Sequence, residues 1–223
     1  MSAPRLVALA AVAALAALTL QMPAAVSAPA AQQQGPLFVH LMLDAREYSL
    51  GRSDAPLTLL EFTDYQCPYC RRFQSETWPL LKKNFIDTGK LRFIVRDLPL
   101  QFHSAARPAA EAAHCAGEQG KFWEMHHALL TGSDALNAAG IDRRAREVGL
   151  DLERLHSCIQ ANRYEAAIAR NIATADALEI HGTPAFVLGR MEHGGLEGQL
   201  VEGAQPYSEF EAALRQLLAA PAG

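Results

Sequence analysis

Residues 58–73 read TLLEFTDYQCPYCRRF, and no other stretch constrains the fold as much. Leu57 to Phe62 is a run of apolar and β-favouring residues, which reads as a buried strand. It runs into Cys67-Pro68-Tyr69-Cys70, and a helical pattern follows at once. A C-x-x-C at a strand-to-helix junction is a thiol–disulfide redox signature. With Cys67 as the N-cap, Pro68 falls on the first helical position, where its missing N–H costs nothing. Cys67 then sits over the free N–H groups and the positive end of the helix dipole. Both favour the thiolate, the reactive form of cysteine. Cys70, one turn further on, is close enough to close a disulfide with it.

Two other uses of such a pair explain the motif less well. A zinc site needs a second C-x-x-C or a His pair at short spacing, and Cys115 and Cys158 do not pair that way. A static bridge this short constrains little chain, so it would stabilise little. Redox work by Cys67 and Cys70 is the better reading.

The chain has 223 residues, enough for one domain with an insertion or for two small ones. Its net charge is −4, and −5 without residues 1–30, whose only charge is Arg5. No basic field suggests nucleic acid, and no polybasic tail suggests anionic lipid. Met1 to Arg5 is a short basic start and Leu6 to Leu20 an apolar run. Ala28-Pro29-Ala30 fits a small-x-small cleavage site. Residues 1–30 therefore read as a secretory signal peptide. The run falls short of the roughly 20 residues a membrane span needs. Export to the periplasm would place all four cysteines in an oxidising compartment.

After this leader, residues 31–36 are polar and read as disordered, and residues 37–50 give no clear pattern. A helix is expected from Cys67 to about Asp87, with Pro79 kinking it and Gly89 ending it. A second strand, Leu91 to Val95, follows a helical crossover and should lie parallel to the first. From Ser104 to Ile180 the pattern is helical throughout, too long for a crossover and read as an inserted subdomain. Strand Ala185 to Leu188, a turn at Gly194-Gly195, strand Leu200 to Val201 and helix Ser208 to Leu218 complete the chain. Trp78, Phe122 and Trp123 are expected in the core. His103, His114, His126 and His127 match no metal-site spacing, so no metal is expected.

The chain resembles the DsbA-like branch of the thioredoxin superfamily, from about residue 50 to 218. Besides the dithiol motif, Gly51, Asp54, Ala55 and Pro56 look like that branch's lead-in to the first core strand. Gln119 to Trp123 looks like its helical insertion. Gly182-Thr183-Pro184 looks like its cis-proline loop, and Gly203 to Tyr207 like the last turn before its C-terminal helix. The resemblance implies an α/β thioredoxin-like fold in two parts, residues 51–103 and 181–223, around an all-helical insertion at 104–180. It implies a redox-active Cys67–Cys70 disulfide around the dipeptide Pro68-Tyr69. It implies a cis Thr183–Pro184 bond whose backbone pairs with an extended client segment. Glu61 reads either as a buried proton acceptor for Cys70 or as a strand residue reaching solvent at the sheet edge. Cys115 and Cys158 are either a structural bridge, as in some relatives, or two buried thiols.

The activity implied is thiol–disulfide exchange with exported proteins that carry free cysteines. No cofactor is needed, and a DsbB-like membrane thiol oxidase would restore the disulfide. An isomerase or reductase held reduced is the alternative, since Tyr69 and Thr183 also look like that branch. A non-catalytic client-binding module is a further one. Residues 31–53 are too short for the isomerases' dimerisation domain, so a monomer is expected.

Overall fold

A computed structural model of the chain describes residues 37–44, 47–133 and 135–220. The signal peptide expected at residues 1–30 and the polar segment 31–36 lie outside the described residues. Six strands form one mixed sheet: β1 (Phe38–Met42), β2 (Tyr48–Leu50), β3 (Leu57–Thr63), β4 (Leu91–Asp97), β5 (Ala185–Glu192) and β6 (Gly195–Glu202). Their order across the sheet is β1-β6-β5-β3-β4-β2. The fold is thioredoxin-like, with helices inserted between β4 and β5.

β3 is the centre. Every one of its residues is buried, which is why the sequence there is apolar without alternation. It pairs parallel with β4, Leu59 opposite Phe93, and antiparallel with β5, Leu60 opposite Val187. Successive side chains point to opposite faces. Leu57 and Leu59 belong to the larger core and Leu60 and Phe62 to the smaller one on the other face. Glu61, two residues beyond Leu59, therefore faces the larger core.

The connection from β3 to β4 is helical throughout. α1 (Pro68–Arg72) passes into a π-helical turn (Phe73–Thr77), then α2 (Trp78–Leu81) and a second π turn (Lys82–Ile86). Pro79 is the second residue of α2, just after the first π turn. The break expected at Pro79 is thus absorbed by looser winding ahead of it, a common accommodation for a missing N–H.

Five helices follow β4: α3 (Ala106–Gly117), α4 (Phe122–Thr131), α5 (Ala138–Glu147), α6 (Leu152–Gln160) and α7 (Glu165–Ala177). Alanines at 109, 110, 112, 113 and 116 let α3 pack closely on its neighbours, and all five are buried. The insertion is not walled off from the sheet: Ala109, Met125, Leu129 and Ile168 share one apolar cluster with Leu59 and Phe93. Phe122 and Trp78 are buried there, while Trp123 packs on it half-buried. α8 (Tyr207–Ala219) closes the same face through Phe210 and Leu214.

One segment left open by the sequence is resolved here, and one expectation needs correction. Residues 37–50, which gave no pattern, hold two strands at opposite edges: β1 beside β6 and β2 beside β4, both antiparallel. The crossing between them is strapped by Arg96, which donates to the Met42 carbonyl at 2.8 Å and forms a buried ion pair with Glu47. The last hairpin is longer than expected and its turn lies one residue earlier. His193 (φ 51°) and Gly194 (φ 81°) make the turn and Gly195 already pairs with Glu192. A two-residue loop with both φ positive is the tight hairpin that matches strand twist.

Candidate active site

The site is built where β3 ends, α1 begins and the loop before β5 returns. Cys67 is the N-cap of α1 with extended backbone (φ −69°, ψ 124°), and Pro68 opens the helix. The Cys70 side chain is fully buried, and the Asp64 N–H donates to its sulfur at 3.4 Å. Both thiols are free in this structure. The Thr183–Pro184 bond is cis. It brings the Thr183 carbonyl to 3.2 Å from the Cys67 sulfur, 116 residues away in sequence. Cys67 is only 3% exposed. The proline loop thus covers the sulfur, which shows only a narrow face. Tyr69, by contrast, is exposed, with the Arg72 guanidinium over its ring at 5.2 Å.

The two thiols are driven apart electrostatically. Cys67 is lowered from 9.0 to about 5, chiefly by its hydrogen bond with the Cys70 thiol. Burial opposes this, while Thr183 and the backbone N–H groups of Cys70 and Tyr69 assist. Burial foremost pushes Cys70 well above the usual thiol range, with the Cys67 bond and the charge of Glu61 adding to it. The two sulfurs are therefore distinct, one favouring the thiolate and the other the thiol.

Glu61 lies behind the pair on β3, flanked by Val95 and Phe186, and is wholly buried. Neither carboxylate oxygen has a hydrogen-bond partner among the described residues. Desolvation raises its pKa from 4.5 to about 8, with Thr63 opposing and Cys67 adding. It does not reach solvent at the sheet edge.

Cys115 and Cys158 form a disulfide that ties α3 to α6, with Cα atoms 5.8 Å apart. Neither of them touches the Cys67–Cys70 pair. Each of the four histidines considered for metal has a different neighbour. His103 Nδ1 lies 2.8 Å from Asp64 and His114 Nε2 2.6 Å from Asp97. His126 Nδ1 lies 3.0 Å from the Tyr65 hydroxyl, and His127 Nδ1 3.0 Å from Gln74. His126 is lowered by burial to about 3, so it is neutral. Glu192, His193 and Glu197 at the last hairpin bring donor atoms within 4.8 Å of one another, at the far end of β5 from Pro184.

Sequence reasoning missed Asp64 and Gln66. The Asp64 carboxylate takes the N–H groups of Gln66 (2.7 Å), Cys67 (3.1 Å) and Leu100 (2.8 Å). Gln66 accepts from the Ala105 N–H at 2.7 Å. The bond from Asp64 to the N–H two residues on is an Asx turn, and an Asp three residues before the motif was the signal for it.

A low-pKa cysteine at a helix start, a buried partner and a cis-proline loop on this sheet make a thioredoxin-like dithiol site. Residues 44–216 match the thioredoxin family model, and the chain belongs to that family. Among solved structures it is similar to a thioredoxin-like oxidoreductase from Silicibacter pomeroyi. The two are 35% identical, covering 80% of this chain and 95% of that one, with a TM-score of 0.68. The catalytic domain of Proteus mirabilis ScsC is 26% identical, covering 81% and 93%, with a TM-score of 0.61. Alpha-DsbA1 of Wolbachia pipientis shares the fold at 24% identity, covering 79% and 93%, with a TM-score of 0.70. Among curated relatives, Na(+)/H(+) antiporter NhaA 3 of Salinispora tropica is 37% identical over 172 residues, 76% of this chain and 26% of that protein. The chain thus spans about a quarter of the length of the curated relatives it matches. No helix among the described residues is long and apolar enough to cross a membrane.

Proposed function

We propose that this chain is an exported, periplasmic oxidase that donates a Cys67–Cys70 disulfide to newly exported proteins. One observation carries the reading: Cys67 is lowered to about 5 while Cys70 is raised. A client thiolate attacks the Cys67 sulfur, and the Cys67–Cys70 bond breaks. Cys70 leaves with the electron pair and takes a proton from Glu61, which is protonated at neutral pH. A second client thiolate then attacks the client sulfur of the mixed disulfide, and Cys67 leaves as a thiolate. The client has lost two electrons and the dithiol has gained them. A low-pKa thiol leaves faster and makes the disulfide more oxidising. Thr183 and Pro184 supply the backbone edge on which the client segment lies. A DsbB-like membrane thiol oxidase removes the electrons, and the protein works as a monomer without a cofactor. The signal peptide at 1–30 delivers it, and the Cys115–Cys158 bridge stays outside the cycle.

The test is a trapping experiment in exported protein. With Cys70→Ser, Cys67 should accumulate mixed disulfides with exported proteins, resolved by reductant on gels. If Cys67→Ser traps them instead, the roles are reversed. Alkylation of the resting wild type should find Cys67 and Cys70 oxidised. A pair found reduced at rest would replace this reading with the isomerase or reductase.

A further inference from the structure

We propose that Asp64 is the positioning residue of the dithiol, its carboxylate fixing residues 64–67 so that the Cys67 sulfur is held over the start of α1. The proposal rests on the reading of Cys67 as the attacked sulfur.

Asp64 is 1% exposed, and four donors converge on it. Oδ1 takes the N–H groups of Gln66 and Cys67, which lie in the active-site loop. Oδ2 takes the N–H of Leu100 and the Nδ1–H of His103, both in the loop between β4 and α3. The residue also touches the second sulfur, through its own N–H to Cys70. One side chain therefore pins the loop carrying Cys67 to a second loop 36 residues away in sequence. Gln66 adds a parallel tie to Ala105.

The chemistry requires a carboxylate. Ionised Asp is acceptor-only at both oxygens. Asn has one acceptor, so its NH₂ would face either the loop N–H groups or that of Leu100, leaving buried donors unpaired. Glu keeps the charge but is one methylene too long to receive the same four donors.

The negative charge itself works against the thiolate a few residues away, since like charges disfavour ionisation. Asp64 must therefore favour the thiolate through geometry, by holding Cys67 at the start of α1, where the Cys70 thiol foremost and the backbone of Cys70 and Tyr69 stabilise its sulfur. Charge and placement predict opposite signs, which makes the proposal testable.

The experiment is the titration of Cys67 by thiolate absorbance in reduced wild type, Asp64→Asn and Asp64→Glu, with each protein's equilibrium against glutathione. Placement predicts that both variants raise the Cys67 pKa, by about one unit for each hydrogen bond to the sulfur that is lost. Each such unit lowers the equilibrium constant for oxidising glutathione about tenfold at pH 7, or about 30 mV. A pure charge effect predicts a lowered pKa in Asp64→Asn and an unmoved one in Asp64→Glu; either result overturns the proposal. A merely structural role predicts lower unfolding midpoints with Cys67 unmoved in both, which overturns it as well. If Asp64→Asn does not fold, Asp64→Glu alone decides between a raised and an unmoved pKa. A wild-type Cys67 titrating near its ordinary value would overturn the donor reading and this inference together. A depressed wild type with unmoved variants overturns this inference alone.

Discussion

Glu61 is the most expensive residue in the site. Burial without a hydrogen-bond partner among the described residues pushes its pKa up to about 8, so it is mostly neutral at pH 7. A neutral acid behind Cys70 can give a proton when the disulfide opens and take it back when it closes. Glu61→Gln keeps the shape and removes the proton. It should slow exchange by about tenfold or more, toward the 10²–10⁴ of general acid–base catalysis, with the fold intact by circular dichroism. An unchanged rate between pH 6 and 8, a window around neutral operation, reduces Glu61 to a structural residue. The places of Cys67, Pro68 and Cys70 at the start of α1 could be read from sequence because helix capping is local, set by residues one turn apart. Asp64 could not be read fully, because two of its four donors, Leu100 and His103, come from another loop. The approach of Thr183 to Cys67 was implied by the resemblance and not by local pattern, since the two meet only through the tertiary fold.

Among the elements, long periodic helices and the all-buried β3 were legible, for their patterns come from burying a face or both faces. β1 and β2 were not. They are edge strands of five and three residues whose place depends on partners elsewhere. Arg96 on β4 decides the path between them, and nothing in residues 37–50 announces that. The α3–α6 bridge is likewise a long-range tie, spanning 43 residues. Closing a loop of that length stabilises by about 4 kcal/mol in the chain-entropy treatment. Replacing Cys115 and Cys158 by Ala should therefore lower the urea midpoint markedly. The rate of exchange with a thiol peptide should change little, because neither sulfur touches the dithiol or the Thr183 loop. Two freely alkylated thiols at these positions in native oxidised protein would show that the bridge does not form.

For the whole molecule, the direction of electron flow is a matter of which redox form folds more stably; the Cys67 proton decides that difference, while Glu61 sets the slope common to both forms. Cys67 falls from 9.0 to about 5 on folding. A lowered pKa gives stability that is full above 9.0 and lost as pH falls through 5, at about 1.4 kcal/mol per unit. Glu61 rises from 4.5 to about 8. A raised pKa gives stability that is full below 4.5 and lost as pH rises through 8, at the same rate per unit. The oxidised protein has only the second effect, so its stability should fall steadily from pH 5 to 8. In the reduced protein the two slopes oppose, and its stability should be nearly flat over that range. Groups that titrate alike in both forms, such as His114, cancel in the difference. Against the thiolate stands the entropy of the closed four-residue loop, which favours the oxidised form by about 2 kcal/mol. At pH 7 the thiolate contributes roughly 2.7 kcal/mol, two units at 1.4 each, so the reduced form wins by a small margin. The two forms should be equally stable near pH 6.5, an approximate crossing set by those two quantities. The measurement is urea unfolding of both forms from pH 5 to 9 in a Cys115→Ala, Cys158→Ala background, so that reductant touches only Cys67 and Cys70. A flat reduced curve crossing a falling oxidised one between pH 6 and 7, around that approximate midpoint, is the signature of a disulfide donor. If the oxidised form stays the more stable throughout, Cys67–Cys70 is a poor donor and the reductase reading takes its place.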